Sequence, residues 1–213
     1  MNSLIALLVK GGMIAVIFYS IILHEISHGL TASWLGDDTA KRSGRLSLNP
    51  LSHIDWFGTV ILPLVLYFTA GFVFGYAKPV PINPYNFKSY KRDTGLTAAA
   101  GPLTNVLIAI LFALAYHISG ATSILGYLSV PIIQINLFLA LFNLIPIPPL
   151  DGSKVLGIFL SDEAYFKYTA QERTGMIFFF GLILVSNLLH LDLFGRFIGP
   201  IMSYLCGLLG IPV

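Results

Sequence analysis

Two histidines and one glutamate fall within five consecutive residues, His-Glu-Ile-Ser-His at positions 24–28, at the end of a long apolar run. Residues four apart share one face of an α-helix, so His24 and His28 can direct their imidazoles at one point. Imidazoles at this spacing are typical of a zinc site, and Glu25 beside them can act as a base without being a ligand. The pattern predicts a hydrolytic zinc centre. The alternative is a polar trio packed without metal, which is disfavoured because ionisable side chains are costly in apolar surroundings.

A zinc centre of this kind needs a third protein ligand and an open position for water. Candidates in apolar surroundings are His53, Asp55, His117, Asp151 and His190. Asp151 is favoured, because it follows a helix end broken by prolines and because Gly152 permits a tight turn that can aim the carboxylate inward. The residues alone leave open whether Asp151 is instead a helix-capping or interfacial aspartate.

The composition is that of a membrane protein with several spans. Hydrophobic residues make up 56% of the 213 residues and charged residues 10%, whereas soluble domains carry about 25% charged residues. The net charge of +2 gives no reason to expect a nucleic-acid partner, and the single cysteine, Cys206, excludes an intrachain disulfide. We expect one domain over residues 1–213, with its core in about 1–155 and C-terminal helices in about 174–213.

Apolar runs predict an all-α polytopic membrane protein with about five transmembrane helices, over about residues 3–32, 94–118, 125–150, 174–191 and 197–213. Another run, 56–77, is interrupted by Pro63, Gly71 and Gly75 and is predicted to be a re-entrant segment. Residues 45–49 alternate polar and apolar side chains, and residues 80–83 follow Pro79 and include Pro81. Both stretches predict short extended strands near the active site.

The zinc-site pattern is accompanied by two further motifs. The three are His24-Glu25-x-x-His28, Gly101-Pro102-x-x-Asn105, and Asn143-x-x-Pro146 leading to Leu150-Asp151-Gly152. Over about residues 20–155 the chain thereby resembles the site-2 protease family (peptidase M50) of intramembrane zinc metalloproteases. No run is long enough for a PDZ domain, so the chain is similar to the small prokaryotic subgroup.

The resemblance implies one Zn²⁺ per chain, bound by His24, His28 and Asp151, with Glu25 as the catalytic base. It further implies that Asn143 and Asn105 help to bind the substrate or to stabilise the oxyanion. The expected activity is hydrolysis of peptide bonds in or near transmembrane segments during regulated intramembrane proteolysis. Expected partners are transmembrane proteins or peptides and the lipid bilayer.

Three alternatives stay open. His53 lies in a stretch, 49–55, that resembles the same subgroup, and it could be an alternative ligand or a gate. A membrane metal-ion transporter could use the same ligands in transit, although it would gain nothing from Glu25 as a base. A catalytically inactive homologue that only binds membrane proteins would not need the complete metal set.

The basic residues predict an orientation in the cell membrane. If the stretch 56–77 returns to its starting face, ten of the twelve Lys and Arg lie on one face, Arg196 lies on the other, and Lys10 is within the first helix. If that stretch crosses, the split is four against seven. The positive-inside rule favours the first arrangement, which directs the active site towards the cytoplasm and puts the N-terminus outside.

Overall fold

The computed structural model describes residues 3–70 and 75–212, and within them every regular element is helical. The α-helices are α1 (Ser3–Trp34), α2 (Thr39–Arg42), α3 (Leu62–Ala70), α4 (Tyr90–Ser119), α5 (Ile124–Asn143), α6 (Asp151–Gly157), α7 (Asp162–Thr169), α8 (Glu172–Leu188) and α9 (Leu193–Leu208). Short 3-10 helices cover Pro50–His53 and Pro84–Asn86, and a π-helical turn covers Trp56–Ile61. The all-helical prediction is confirmed for this part of the chain.

Three helices, α1, α4 and α5, form the centre of the fold. In the described part of the chain they are the helices long and apolar enough to cross a membrane. The predicted fourth and fifth spans correspond to α8 and α9, which have 17 and 16 residues. Five spans are therefore not confirmed.

The order of contacts fixes the directions of the three central helices. His24 of α1 bonds Asn105 of α4, and His28, one turn later, bonds Thr97, two turns earlier in α4. A residue further along α1 thus contacts a residue earlier in α4, so the two helices are antiparallel. The chain then reverses between Ser119 and Ile124, where Gly120 has φ of +81° and Ser123 caps α5 by accepting from Gly126 N. Helix α5 consequently runs in the same direction as α1.

Asp37, in the turn after α1, ties the end of α1 to the approach to α4. Its buried carboxylate accepts hydrogen bonds from Asn83 N and Asn86 Nδ2, both at 2.7 Å, and from the backbone and hydroxyl of Thr39. Burial alone would raise the pKa of Asp37, but the hydrogen bonds from Thr39, Asn83 and Asn86 outweigh it and lower that pKa. The chain between α1 and α4 therefore begins and ends at the same end of the helix pair.

The two ends of the stretch 56–77 also lie next to each other. Tyr76 N donates to Gly58 O at 3.1 Å, Thr59 Oγ1 donates to Tyr76 O at 2.9 Å, and Lys78 N donates to His53 O at 2.9 Å. We call residues 75–83 the returning segment. Of the predicted bending points, Pro63 lies in α3, Gly75 opens the returning segment, and Gly71 lies outside the described residues.

The predicted short strands are not confirmed, since no β-strand occurs among the described residues. In the returning segment the physical reason lies in its backbone donors. Pro79 and Pro81 have no N–H, Val80 N donates to Glu25 Oε2 at 2.9 Å, and Asn83 N donates to Asp37. Those donors bond side chains and form no strand ladder.

Candidate metal centre

Helix α1 presents His24 and His28 to a stripe of α4 formed by Thr97, Gly101 and Asn105. These three residues are spaced by four, so they lie on one face of α4. His24 Nδ1 donates to Asn105 Oδ1 at 2.6 Å, and His28 Nδ1 donates to the Thr97 carbonyl at 2.7 Å. Each imidazole thus has its Nδ1 held by a hydrogen bond to α4, which leaves its Nε2 for a partner outside that helix. Both histidines are only 6% exposed.

Gly101 makes this close approach possible. A Cβ built on Gly101 would lie 2.5 Å from Nε2 of both His24 and His28. Real Cβ atoms do not tolerate such a distance to a rigid ring, so a larger residue here would displace the imidazoles. The Gly-Pro-x-x-Asn motif therefore has a local meaning. Gly101 leaves room for both rings, and Asn105, one turn further along, accepts a hydrogen bond from His24.

Asp151 comes from the irregular connection after α5. Leu150 N donates to Ile147 O at 2.9 Å, and Ser153 donates to Leu150 O through both its N–H and its hydroxyl. These bonds start α6 at Asp151. A Cβ on Gly152 would collide with the carbonyl of Leu144, so this glycine is required where the chain folds back on the end of α5. The turn places the Asp151 carboxylate against the two histidines.

The three side chains converge on one point. Asp151 Oδ2 lies 3.1 Å from His24 Nε2 and 3.3 Å from His28 Nε2, and one ligand atom from each residue lies within 4.8 Å of the others. Two ligands on a tetrahedral zinc at bond lengths of about 2.0–2.1 Å are themselves about 3.3 Å apart. This is the one such cluster of His, Cys, Asp and Glu found among the described residues.

The protonation of the cluster also suits a cation. The Thr97 carbonyl can only accept, so Nδ1 of His28 carries a hydrogen, and the lone pair of the neutral ring is then at Nε2. The same holds for His24, which donates from Nδ1 to Asn105 Oδ1. Two lone pairs and a carboxylate oxygen that face one another need a positive charge between them. The residues present therefore fit zinc.

The other candidate ligands lie elsewhere or have other partners. His53 is fully buried, and its Nε2 donates to Ser47 O at 2.8 Å. Asp55 accepts from Gly58 N at 2.7 Å, and His117 Nε2 donates to Leu209 O at 2.7 Å. His190 is in the turn after α8 and does not belong to the cluster.

Glu25 is partly exposed and borders the cluster without belonging to it. Its Oε2 accepts the Val80 N–H at 2.9 Å. Val80 is 6% exposed, and its Cγ1 would be 2.9 Å from a Cβ built on Gly29, so the returning segment packs closely on this turn of α1. A carboxylate beside a metal site but outside its ligand set is placed to exchange protons with water.

The two asparagines predicted to contact the substrate occupy different surroundings. Asn143 Nδ2 donates to Leu139 O within its own helix at 2.9 Å. Asn105 bonds His24 through Oδ1 and Asn136 through Nδ2. Sequence reasoning missed Asn136 and its partner Ser20, although a buried asparagine in an apolar helix is itself a signal of function.

Proteins similar to this chain include several that are named as putative zinc metalloproteases. A model of peptidase family M50 matches residues 118–187, which include Asp151. "Putative zinc metalloprotease YwhC" of Bacillus subtilis is 36% identical over 176 residues, which are 78% of this chain and 77% of the relative. "Putative zinc metalloprotease MJ0611" of Methanocaldococcus jannaschii is 43% identical over 137 residues, 63% of each chain. No solved structure matches the chain.

The fold and the site define a membrane protein with a metal centre, and the family model and the relatives make it a metalloprotease. The chain belongs to peptidase family M50, the site-2 protease family. The family predicted from the motifs is confirmed, and with it the expectation of zinc. The chain covers 77% of the Bacillus relative but 63% of the Methanocaldococcus one.

Gly101→Ala should lower the zinc content of the purified protein at least tenfold, because the new methyl group would occupy the space of both imidazoles. Gly181→Ala in α8 is the matched control, since a Cβ there meets nothing within 4 Å. Metal analysis of both variants in detergent tests this expectation. A Gly101→Ala protein with a full complement of zinc would show that α4 does not limit the space at the site.

Proposed function

We propose that this chain is an intramembrane zinc metalloprotease that hydrolyses peptide bonds in or near transmembrane segments of membrane proteins, as in regulated intramembrane proteolysis. The observation that carries the proposal is the convergence of His24, His28 and Asp151, each with a ligand atom within 4.8 Å of the others, where the start of α6 meets the apolar helix α1. These residues would hold one zinc per chain, and Glu25 would be the catalytic base. Family membership supports the reaction class.

In the mechanism, zinc would supply Lewis acidity, which activates water and polarises the scissile carbonyl at neutral pH. Glu25 accepts a proton from the attacking water at its carboxylate and passes it to the leaving amine nitrogen. The Val80 N–H, bonded to Oε2, holds that carboxylate in place, so we assign proton transfer to Oε1. Asn105 and Thr97 keep the Nε2 lone pairs of the histidines available.

We assign Asn105 to orienting His24, because both ends of its amide are used by other side chains. Asn143 stays a candidate for the substrate or oxyanion, since it ends α5 just before the connection that delivers Asp151. Its Nδ2 would have to leave Leu139 O to serve there.

Substrate entry would occur beside the returning segment. An intact helix hides its peptide bonds, so the substrate must unwind before hydrolysis. An unwound chain could pair with residues 45–49 or 80–83, but Val80 N and Asn83 N already bond Glu25 and Asp37. Pairing through these donors would therefore require the returning segment to move.

The proposed setting is the cell membrane, with several spans and the active site towards the cytoplasm. Helices α1, α4 and α5 supply three spans, and α8 and α9 would supply two more. The stretch 56–77 would enter and return on the cytoplasmic side. The bonds of Tyr76 and Lys78 to residues 53–59 support this path, as does the tie between Asp37 and Asn83. The N-terminus would then lie outside.

A membrane metal-ion transporter is the second candidate, because the same cluster could bind an ion in transit. An inactive homologue that binds membrane proteins would keep the cluster without turnover. Glu25 separates these functions from proteolysis, since neither requires a base next to the ligands.

Glu25→Gln should retain zinc and abolish cleavage, because the amide keeps the size of the side chain but cannot accept a proton from water. Asp151→Ala should lose zinc and activity together. The measurements are metal content and cleavage of a panel of single-span substrates by purified protein, with chelation and zinc restoration as controls. Cleavage by Glu25→Gln near the wild-type rate would show that Glu25 is not the catalytic base. A full complement of zinc in Asp151→Ala would show that Asp151 is not a zinc ligand.

Single cysteines at Ser43 and Lys88, in a Cys206→Ser background, should be labelled from the cytoplasmic face. A cysteine at Thr122, in the connection between α4 and α5, should be labelled only from outside. All three positions are solvent-exposed in the fold, so each can report its own side. The test uses an impermeant thiol reagent on intact cells and on inverted vesicles. Labelling of the Ser43 and Lys88 positions from opposite faces would contradict the re-entrant path.

A further inference from the structure

A chain of hydrogen bonds leads from the back of His24 across all three central helices. His24 Nδ1 donates to Asn105 Oδ1, and Asn105 Nδ2 donates to Asn136 Oδ1 at 2.9 Å. Asn136 Nδ2 in turn donates to the Ile132 carbonyl at 2.9 Å and to Ser20 Oγ at 3.0 Å. Asn105 and Asn136 are completely buried, and Ser20 is 3% exposed. Asn136 does not touch the metal cluster and belongs to none of the motifs.

The donor-to-acceptor direction of these hydrogen bonds is set at the Ile132 end of the series. The backbone carbonyl of Ile132 can only accept, so Asn136 must turn its NH₂ group to Ile132 and its oxygen to Asn105. Asn105 must then turn its NH₂ group to Asn136 and its oxygen to His24. Because an amide oxygen can only accept, His24 carries its hydrogen on Nδ1, and its Nε2 keeps a lone pair. His28 obtains the same tautomer directly from the Thr97 carbonyl.

We infer that Asn136 is a positioning residue of the metal centre, which sets the tautomer of His24 through the orientation of the Asn105 amide. The inference rests on the proposed zinc function. Without Asn136, the Asn105 amide can turn over and present its NH₂ group to His24. The imidazole would then accept at Nδ1 and carry its hydrogen on Nε2, where it cannot bind a metal. Groups that orient a ligating histidine typically contribute about 10–100-fold to metal affinity.

A purely structural role for Asn136 would be to hold helices together, since buried asparagines hydrogen-bond across helices in membranes. Ser20 separates the two roles. Ser20→Ala removes the hydrogen bond between α5 and α1. It keeps the hydrogen bonds that link Ile132, Asn136, Asn105 and His24 and that orient the two amides. An effect on helix packing should therefore appear in Ser20→Ala, whereas an effect on the tautomer should not.

A second variant provides a rescue. Asn105→Asp gives residue 105 two acceptor oxygens, so either orientation accepts the Nδ1 hydrogen of His24. Beside Asn136 that aspartate would face the Asn136 oxygen, but in an Asn136→Leu background this repulsion is absent. The double variant Asn105→Asp/Asn136→Leu should thus restore what Asn136→Leu loses. The double variant should not restore helix packing, so a rescue would point to the tautomer of His24.

The experiment measures the zinc affinity of the full chain in detergent, by competition with a chromophoric chelator, together with the thermal unfolding temperature. Asn136→Leu should weaken zinc binding about 10–100-fold, Ser20→Ala should stay close to wild type, and the double variant should bind zinc more tightly than Asn136→Leu. If Asn136→Leu does not fold, Asn136→Ala takes its place in the same comparison. The readout is binding of the metal alone and does not depend on activity.

Wild-type zinc affinity in Asn136→Leu would overturn the inference, and so would an equal loss in Ser20→Ala or a double variant no better than the single one. His28→Ala distinguishes this failure from that of the proposed function. If His28→Ala binds zinc as tightly as wild type, the proposed zinc centre itself is wrong. If His28→Ala loses zinc while Asn136→Leu does not, only the role of Asn136 is wrong.

Discussion

The fold depends on the need to give both imidazoles of the site hydrogen-bond partners inside apolar helices. Each imidazole of the pair on α1 has one nitrogen that must find an acceptor away from water, and α4 provides both acceptors from a single face. An unpaired polar group in such surroundings costs several kcal/mol. The same two bonds orient both lone pairs towards Asp151. The same contacts thus stabilise the helix pair and orient the ligands of the metal centre.

This constraint explains why the connections have their particular lengths and turns. Antiparallel α1 and α4 bring position 24 opposite 105 and position 28 opposite 97. A short reversal then makes α5 parallel to α1, so the proline-rich turn after α5 delivers Asp151 beside His24. The long connection between α1 and α4 must begin and end at one end of the pair, and Asp37 joins its two ends. The returning segment is part of that connection and reaches Glu25.

The sequence predicted the parts of the site that depend on local spacing. The pairing of His24 with His28 follows from helical periodicity. The broken helix end before glycine favours Asp151 as the third ligand, but its assignment rests on the resemblance to the family. Partners formed across helices were not predictable in the same way, because no motif marks Asn136 or Ser20 and their bonds join residues 31 and 116 positions apart. The motif predicts Asn105 near the site, but its contact with the back of His24 depends on how α4 packs against α1. Short strands were expected from alternation and prolines, whereas in the returning segment backbone donors bond side chains instead.

The central claim is that two imidazoles and one carboxylate bind a single zinc within the central helices. X-ray absorption spectroscopy at the zinc edge, on purified wild-type protein loaded with one equivalent of zinc, tests it most directly. We expect a shell of nitrogen and oxygen ligands at about 2.0–2.1 Å, with the outer-shell scattering of two imidazoles. In Asp151→Asn the oxygen contribution should change while the imidazole scattering persists. A spectrum with fewer than two imidazoles, or with a sulfur shell at about 2.3 Å, would contradict the account.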